Sequence, residues 1–72
     1  MTPKELHDEL LAAHIAGDGR KMVELYTKAA NQTDDLDEEM FFLTHAFIFA
    51  LETGHPTADD LRSRLKAQGR ID

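Results

Sequence analysis

The sequence predicts an all-α domain of four helices arranged as two antiparallel helical hairpins, and three observations carry that expectation. Apolar residues recur at intervals of three and four, the helical period, with no stretch of strict alternation that would signal a strand. Gly17, Gly54 and Gly69 each follow the end of such a pattern, where a left-handed residue stops a helix. Asp18, Asp35 and Thr57 stand where the next pattern begins and are side chains that cap helix starts. No linker or low-complexity stretch interrupts the 72 residues, so residues 1–72 are expected to form a single helical domain.

Thr2-Pro3-Lys4-Glu5 has the capping-box spacing with proline at the first helical position, and it predicts a first helix from Pro3 to Ala16. Asp18 then caps a second helix whose apolar set is Met22, Val23, Leu25, Tyr26, Ala29 and Ala30, ending near Asn31. In the stretch NQTDDLDEE either Thr33 or Asp35 is placed to cap, and Asp35-x-x-Glu38 repeats the capping-box spacing. The third helix is expected from Leu36 to Thr53, stopped by Gly54 and Pro56. Leu36, Met40, Leu43, Phe47 and Leu51 form one stripe, and Phe41, Phe42, Ala46, Ile48 and Phe49 spread over the remaining surface. Thr57 opens the last helix, with Asp59 and Asp60 in its first turn, Arg62, Arg64 and Lys66 towards its end, and a narrow apolar line of Ala58, Leu61 and Leu65. Gly69 closes it, leaving Arg70, Ile71 and Asp72 as a short tail.

Fourteen acidic against eight basic residues give a net charge of −6, which opposes attraction to a nucleic-acid backbone or an anionic bilayer. The opening MTPKELHDEL lacks the apolar run of a signal peptide. The most apolar stretch, Met40 to Leu51, is far shorter than the roughly 20 residues that span a bilayer and is interrupted by Thr44 and His45. These features, with the absence of cysteine, predict a cytoplasmic protein without disulfides or thiolate chemistry. A domain this small buries only about 60% of its unfolded surface, so good helix packing or a second chain is expected to support it.

The AGDG stretch at residues 16–19 admits three readings. A phosphate loop needs G-x-x-x-x-G-K-[ST] after a strand, whereas here a helix precedes a G-x-G in which Asp18 would face the anion. A helix-turn-helix corner is suggested by Ala13, Gly17 and Val23, which would aim Arg20 and Lys21 at DNA. Against it stand Asp18, where an apolar residue usually follows the turn glycine, and the acidic composition. The third reading is the turn of a helical hairpin.

Leu6, Leu10, Ala13, Gly17-Asp18, Met22, Tyr26 and Ala29, with the run KMVELYTKAA, resemble a tetratricopeptide-like repeat. A looser second copy runs through Leu43, Ala46, Ala50, Gly54, Leu61 and Leu65. The chain departs from that pattern at Leu10 and Ala13, where glycine and an aromatic residue are common, and its glycine spacing is 37 instead of about 34 residues. The resemblance implies a scaffold that binds peptides or protein segments and has no catalytic activity.

Four histidines raise a metal hypothesis, but His7 and His14 lie about 10 Å apart along one helix, no H-E-x-x-H is present, and Glu52-x-x-His55 occurs once and is broken by Gly54. His14 and His45 are instead expected to be partly buried, hydrogen-bonded packing residues, with His7 and His55 on the surface. Asp34, Asp35, Asp37, Glu38 and Glu39 lack the glycine of a calcium loop and suit a helix start. Nothing links a nucleophile, a base and an oxyanion donor, so no enzyme activity, cofactor or metal is expected.

The informative excess is aromatic. Phe41, Phe42, Phe47, Phe49 and Ile48 cover more of the third helix than its neighbours are expected to bury, unless the core absorbs every phenylalanine. The expected contact surface is Phe41, Phe42, Ile48 and Phe49, together with a groove lined by His7, His14 and Tyr26. Acid at residues 34–39 and base at Arg62, Arg64, Lys66 and Arg70 are expected to form opposite poles. The sequence thus predicts a protein–protein interaction module or adaptor whose third helix seats either a second copy, as a homodimer, or a protein or peptide partner. A helix-turn-helix DNA-binding regulator and a histidine-ligated metal protein are the alternatives.

Overall fold

Asp18 performs two tasks at the first corner of the chain. The computed structural model of the protein describes residues 3–70, and in it helix α1 (Pro3–Ala16) hands over to α2 (Gly19–Gln32) within two residues. The Asp18 amide donates to the Ala13 carbonyl (3.0 Å) and the Gly17 amide to the His14 carbonyl (3.2 Å), the paired bonds of a Schellman ending. Its carboxylate meanwhile accepts the Lys21 amide at 3.1 Å, capping α2. Gly17 sits at φ +68°, in the left-handed region that side-chain-bearing residues avoid. The AGDG stretch is therefore a hairpin corner.

The same ending recurs after α3 (Leu36–Thr53), where Gly54 has φ +66° and the His55 amide reaches the Ala50 carbonyl at 2.9 Å. It recurs again after α4 (Ala58–Ala67), where the Arg70 amide reaches the Leu65 carbonyl at 3.0 Å. Four helices, and no strand among the described residues, make up the domain. The capping box expected at Thr2 lies partly outside the described residues, as do Ile71 and Asp72 of the tail.

Two starts differ in detail from expectation. Asp35 caps α3 by accepting the Glu38 amide at 3.1 Å, but its own amide goes to the Thr33 hydroxyl at 3.2 Å. Both candidate caps are thus used in series. Helix α4 begins at Ala58 with Thr57 at its cap position, but His55 Nδ1 engages both the Thr57 amide (3.2 Å) and its hydroxyl (2.8 Å), so Thr57 makes no side-chain cap. Of the histidines, His45 is half-buried and His7 exposed as expected, whereas His14 is exposed where partial burial was expected and His55 half-buried where the surface was expected.

Consecutive helices pack on one another, α1 on α2, α2 on α3 and α3 on α4. They run antiparallel: the α2 start at Gly19 lies against Thr53 at the α3 end, and Arg70 beyond α4 reaches Asp37 at the α3 start. Alternate helices share a side of the array. His14 of α1 meets Phe49 of α3 on one side, and Arg64 of α4 meets Asn31 of α2 on the other. The result is a slab with Cα extents of 32 × 28 × 14 Å, about two helices thick. No described helix is long and apolar enough to cross a membrane.

Apolar packing divides about α2. Its Met22, Leu25 and Ala29 join Leu6 and Ala13 of α1, while its Val23 and Ala30 join α3 and α4 through Leu43, Leu61 and Leu65. Tyr26, Phe42 and Phe49 touch both clusters and tie them together. The expected α3 stripe is corrected at its ends, where Leu36 is 48% and Leu51 61% exposed. Ala46 and Ala50 occupy the centre of the buried side at 0%, and a helix turns about 100° per residue, so Leu51 swings clear of the neighbours that cover Ala50. Leu36 lies at the far end of an 18-residue helix that the 10-residue α4 does not cover fully.

Candidate interaction surface

Because α1 and α3 lie on the same side of α2, the outward ring of Tyr26 becomes the floor of a groove between them. Six rings meet there. Tyr26 stacks on Phe49 with planes 8° apart and centroids 6.1 Å apart, and it lies 5.2 Å from His45 and 6.3 Å from Phe42. Phe41 adds edge and tilted contacts to Phe42 (5.7 Å) and His45 (4.4 Å). From α1, His14 approaches Phe49 edge-on at 6.1 Å, and its Nε2 pairs with the Tyr26 hydroxyl at 3.1 Å. These distances are those of favourable aromatic pairs.

The polar atoms of the cluster are used locally. His45 Nδ1 donates to the Phe41 carbonyl at 3.0 Å, which holds its ring along α3 beside Phe41. Burial pushes the Tyr26 phenol above its ordinary value of 10.0, since ionising it would place charge among rings. No buried side-chain nitrogen or oxygen among the described residues lacks a partner.

Beyond the rings, the groove widens towards the α1 start into an open cleft of about 410 Å³ bounded by Leu6, His7, Leu10, Ala29, Glu38 and Phe42. Its rims are apolar. On α1, Leu11 is 54% exposed and stands one turn from both His7 and His14, while Ile15, 80% exposed, lies further round the helix, away from the side that packs on α2. On α3, Phe41 and Ile48 are about half exposed, with His45 between them at helical spacing.

Five of the seven residues expected at the contact surface therefore belong to one ring cluster: His14, Tyr26, Phe41, Phe42 and Phe49. Ile48 lies on the adjoining outer face of α3 and His7 in the cleft that shares Phe42. The phenylalanines are neither all absorbed nor all presented, since Phe47 packs half-buried against the core while Phe41 is 56% exposed. His45, expected as a partly buried, hydrogen-bonded packing residue, is that and a member of the ring cluster as well, whereas sequence reasoning missed Leu11 and Ile15. His45 was legible as the i+4 neighbour of Phe41. Leu11 and Ile15 form an i, i+4 pair displaced from the Leu6, Leu10, Ala13 line, which marks a second apolar face on one helix.

The expected charge poles are corrected. Antiparallel α3 and α4 bring acid and base to the same end, where Arg70 pairs with Asp37 at 2.9 Å and Arg64 lies 3.5 Å from Glu39. The charge is instead divided by side: α3 carries Asp37, Glu38, Glu39 and Glu52 with no lysine or arginine, and α1 carries three acids against Lys4 alone. Arg20, Lys21 and Lys28 belong to α2 against Glu24, and Arg62, Arg64 and Lys66 to α4 against Asp59 and Asp60. Among the described residues no three histidine, aspartate or glutamate side chains gather in a metal-ligating group.

No protein-family model, curated protein or solved structure matches the chain.

Proposed function

We propose that the protein is a small, non-catalytic interaction module of tetratricopeptide-like organisation, whose α1–α3 groove seats an apolar segment of a partner protein. One observation carries this reading: the rings of His14, Tyr26, Phe41, Phe42, His45 and Phe49 form a continuous cluster left half open to solvent, with exposed Leu11 on α1 and Ile48 on α3 beside it. Apolar surface gathered in a groove, as opposed to scattered singly, is the mark of a contact site. Aromatic residues packed on a rigid helical frame supply large contact area at low entropic cost.

Mapping by amide chemical shift tests the reading. A helical-peptide display selection against the domain, counter-selected with the surface variant Leu11→Ser/Phe41→Ser, is expected to yield ligands whose shifts centre on Tyr26, His45 and Phe49. Ligands that bind both proteins equally, with shifts centred on the α2–α4 side, would refute it. A parallel titration with duplex DNA addresses the regulator alternative: salt-sensitive binding lost in Arg20→Ala and Lys21→Ala would replace the module reading.

A further inference from the structure

The groove has a charge as well as an apolar character, and together these define what fits it. Glu38 borders the cleft at one end of α3, and Glu52 lies 14 residues further along the helix, roughly 21 Å away at 1.5 Å per residue. Among the described residues neither carboxylate is engaged in an ion pair, in contrast to Asp37 and Glu39. On the facing helix Asp8 is also exposed, next to the Leu11 and Ile15 face. The positive charges that would neutralise these acids belong to α2 and α4.

From this placement we propose that the occupant of the α1–α3 groove is a cationic amphipathic helix of another protein, its apolar stripe on the ring cluster and its lysines or arginines over Glu38 and Glu52. The proposal rests on the groove reading above and adds the chemistry of the partner. A second copy of this chain is the poorer occupant, because pairing the same face with itself sets Glu38, Glu52 and Asp8 against like charges. An extended segment is also poorer. The domain offers no strand edge among its described residues, so the backbone N–H and C=O groups of such a segment would lie unpaired over aromatic rings. A helix satisfies its own backbone and needs only an apolar face and a charged flank. Arginine gains further from lying over the exposed face of Phe41 or His45.

Three synthetic helical peptides share one leucine–phenylalanine stripe and differ only in flanks of lysine and arginine, of glutamine, or of glutamate; each is titrated into the isotope-labelled domain. The cationic peptide is expected to bind tightest, with shifts at Tyr26, His45 and Phe49, and to weaken as salt rises. Exposed ion pairs each change an equilibrium by about two- to fivefold, so Glu38→Gln/Glu52→Gln is expected to cost about tenfold for that peptide and nothing for the glutamine-flanked one. Lys66→Gln, on the opposite side, is expected to have no effect. Equal groove binding by all three peptides overturns the cationic partner while leaving the groove reading intact. Binding by none, or binding mapped outside the groove, overturns both. Sedimentation equilibrium gives the remaining outcome: a dimer broken by Phe41→Ser replaces the foreign helix with a second copy.

Discussion

Gly19 separates two effects that usually act together when glycine is replaced at a helix start. Its φ is not positive, so alanine meets no backbone penalty there, and a helical alanine gains up to about 1 kcal/mol over glycine. A Cβ at position 19, however, would lie 2.7 Å from Thr53 Cγ2 and 4.0 Å from Phe49 Cδ1, against an ordinary carbon–carbon approach of about 3.5–4.0 Å. Thr53 does not yield easily, because its hydroxyl donates to the Phe49 carbonyl at 2.7 Å and turning the β-branched side chain breaks that bond. Overpacking of this size costs about 1–3 kcal/mol, so the clash exceeds the propensity gain and Gly19→Ala is expected to destabilise the domain by about 1 kcal/mol. Urea unfolding followed by circular dichroism reads this as a lower midpoint at unchanged slope. Thr53→Ser removes the offending methyl and keeps the hydroxyl, so in that background Gly19→Ala is expected to stabilise by about 0.5–1 kcal/mol, a coupling that a double-mutant cycle isolates. If alanine at position 19 stabilises both backgrounds equally, the close α2–α3 approach described here is wrong.

Four further outcomes follow from the packing. Leu65→Ala, at a side chain with 0% exposure between α3 and α4, is expected to cost about 2–5 kcal/mol and to shift the urea midpoint accordingly. The Tyr26 phenol, raised above 10.0 by burial, keeps its proton after the unfolded phenol has lost its own. Its contribution is therefore complete below about pH 10 and lost as pH rises through the folded value, a slope that ultraviolet titration should detect and Tyr26→Phe abolish. Arg70→Gln removes a partly exposed pair with Asp37 and is expected to cost under about 1 kcal/mol, vanishing in high salt when unfolding is compared across ionic strengths. Amide hydrogen exchange is expected to be faster in α1 and α4, each packed on a single helix, than in α2 and α3, each packed on two.

Helix boundaries were legible because they are set by local chemistry. A left-handed glycine at positions 17, 54 and 69 and a carboxylate at Asp18 or Asp35 decide where a helix stops and starts whatever it packs against. The face that α3 turns to the core was less legible. Of the expected line Leu36, Met40, Leu43, Phe47 and Leu51, Met40 and Leu43 are buried and Phe47 is half-buried, but close helix approach selects small side chains as well and buries Ala46 and Ala50 completely while the end residues Leu36 and Leu51 stay exposed. Periodicity gives a direction about the axis but not which neighbour is near enough to cover it. The charge layout failed for a similar reason: residues 34–39 and 62–70 are distant in the chain, and only the antiparallel return of α4 sets Arg70 beside Asp37. In the groove, sequence reading found the aromatic excess of α3 and the ring of Tyr26. It placed His45 as a partly buried packing residue, as the structure has it, but not in the contact surface, and it missed the exposed Leu11 and Ile15, whose significance depends on which side of α1 faces away from α2.

The groove and the stability of α1 are not independent. Among the described residues of α1 only Leu6 and Ala13 are buried, and the helix is otherwise held by Leu10 and by the contacts of His14 with Tyr26 and Phe49. The side chains that fasten this edge helix are thus also those that an occupant would cover. A ligand seated between α1 and α3 would cover the ring cluster, His14 of α1 included, and so add to α1 apolar cover of the kind that α3 receives from α2 and α4 within the chain. Binding to the folded groove alone stabilises by mass action, and that gain is concentrated where the domain's own packing is thinnest.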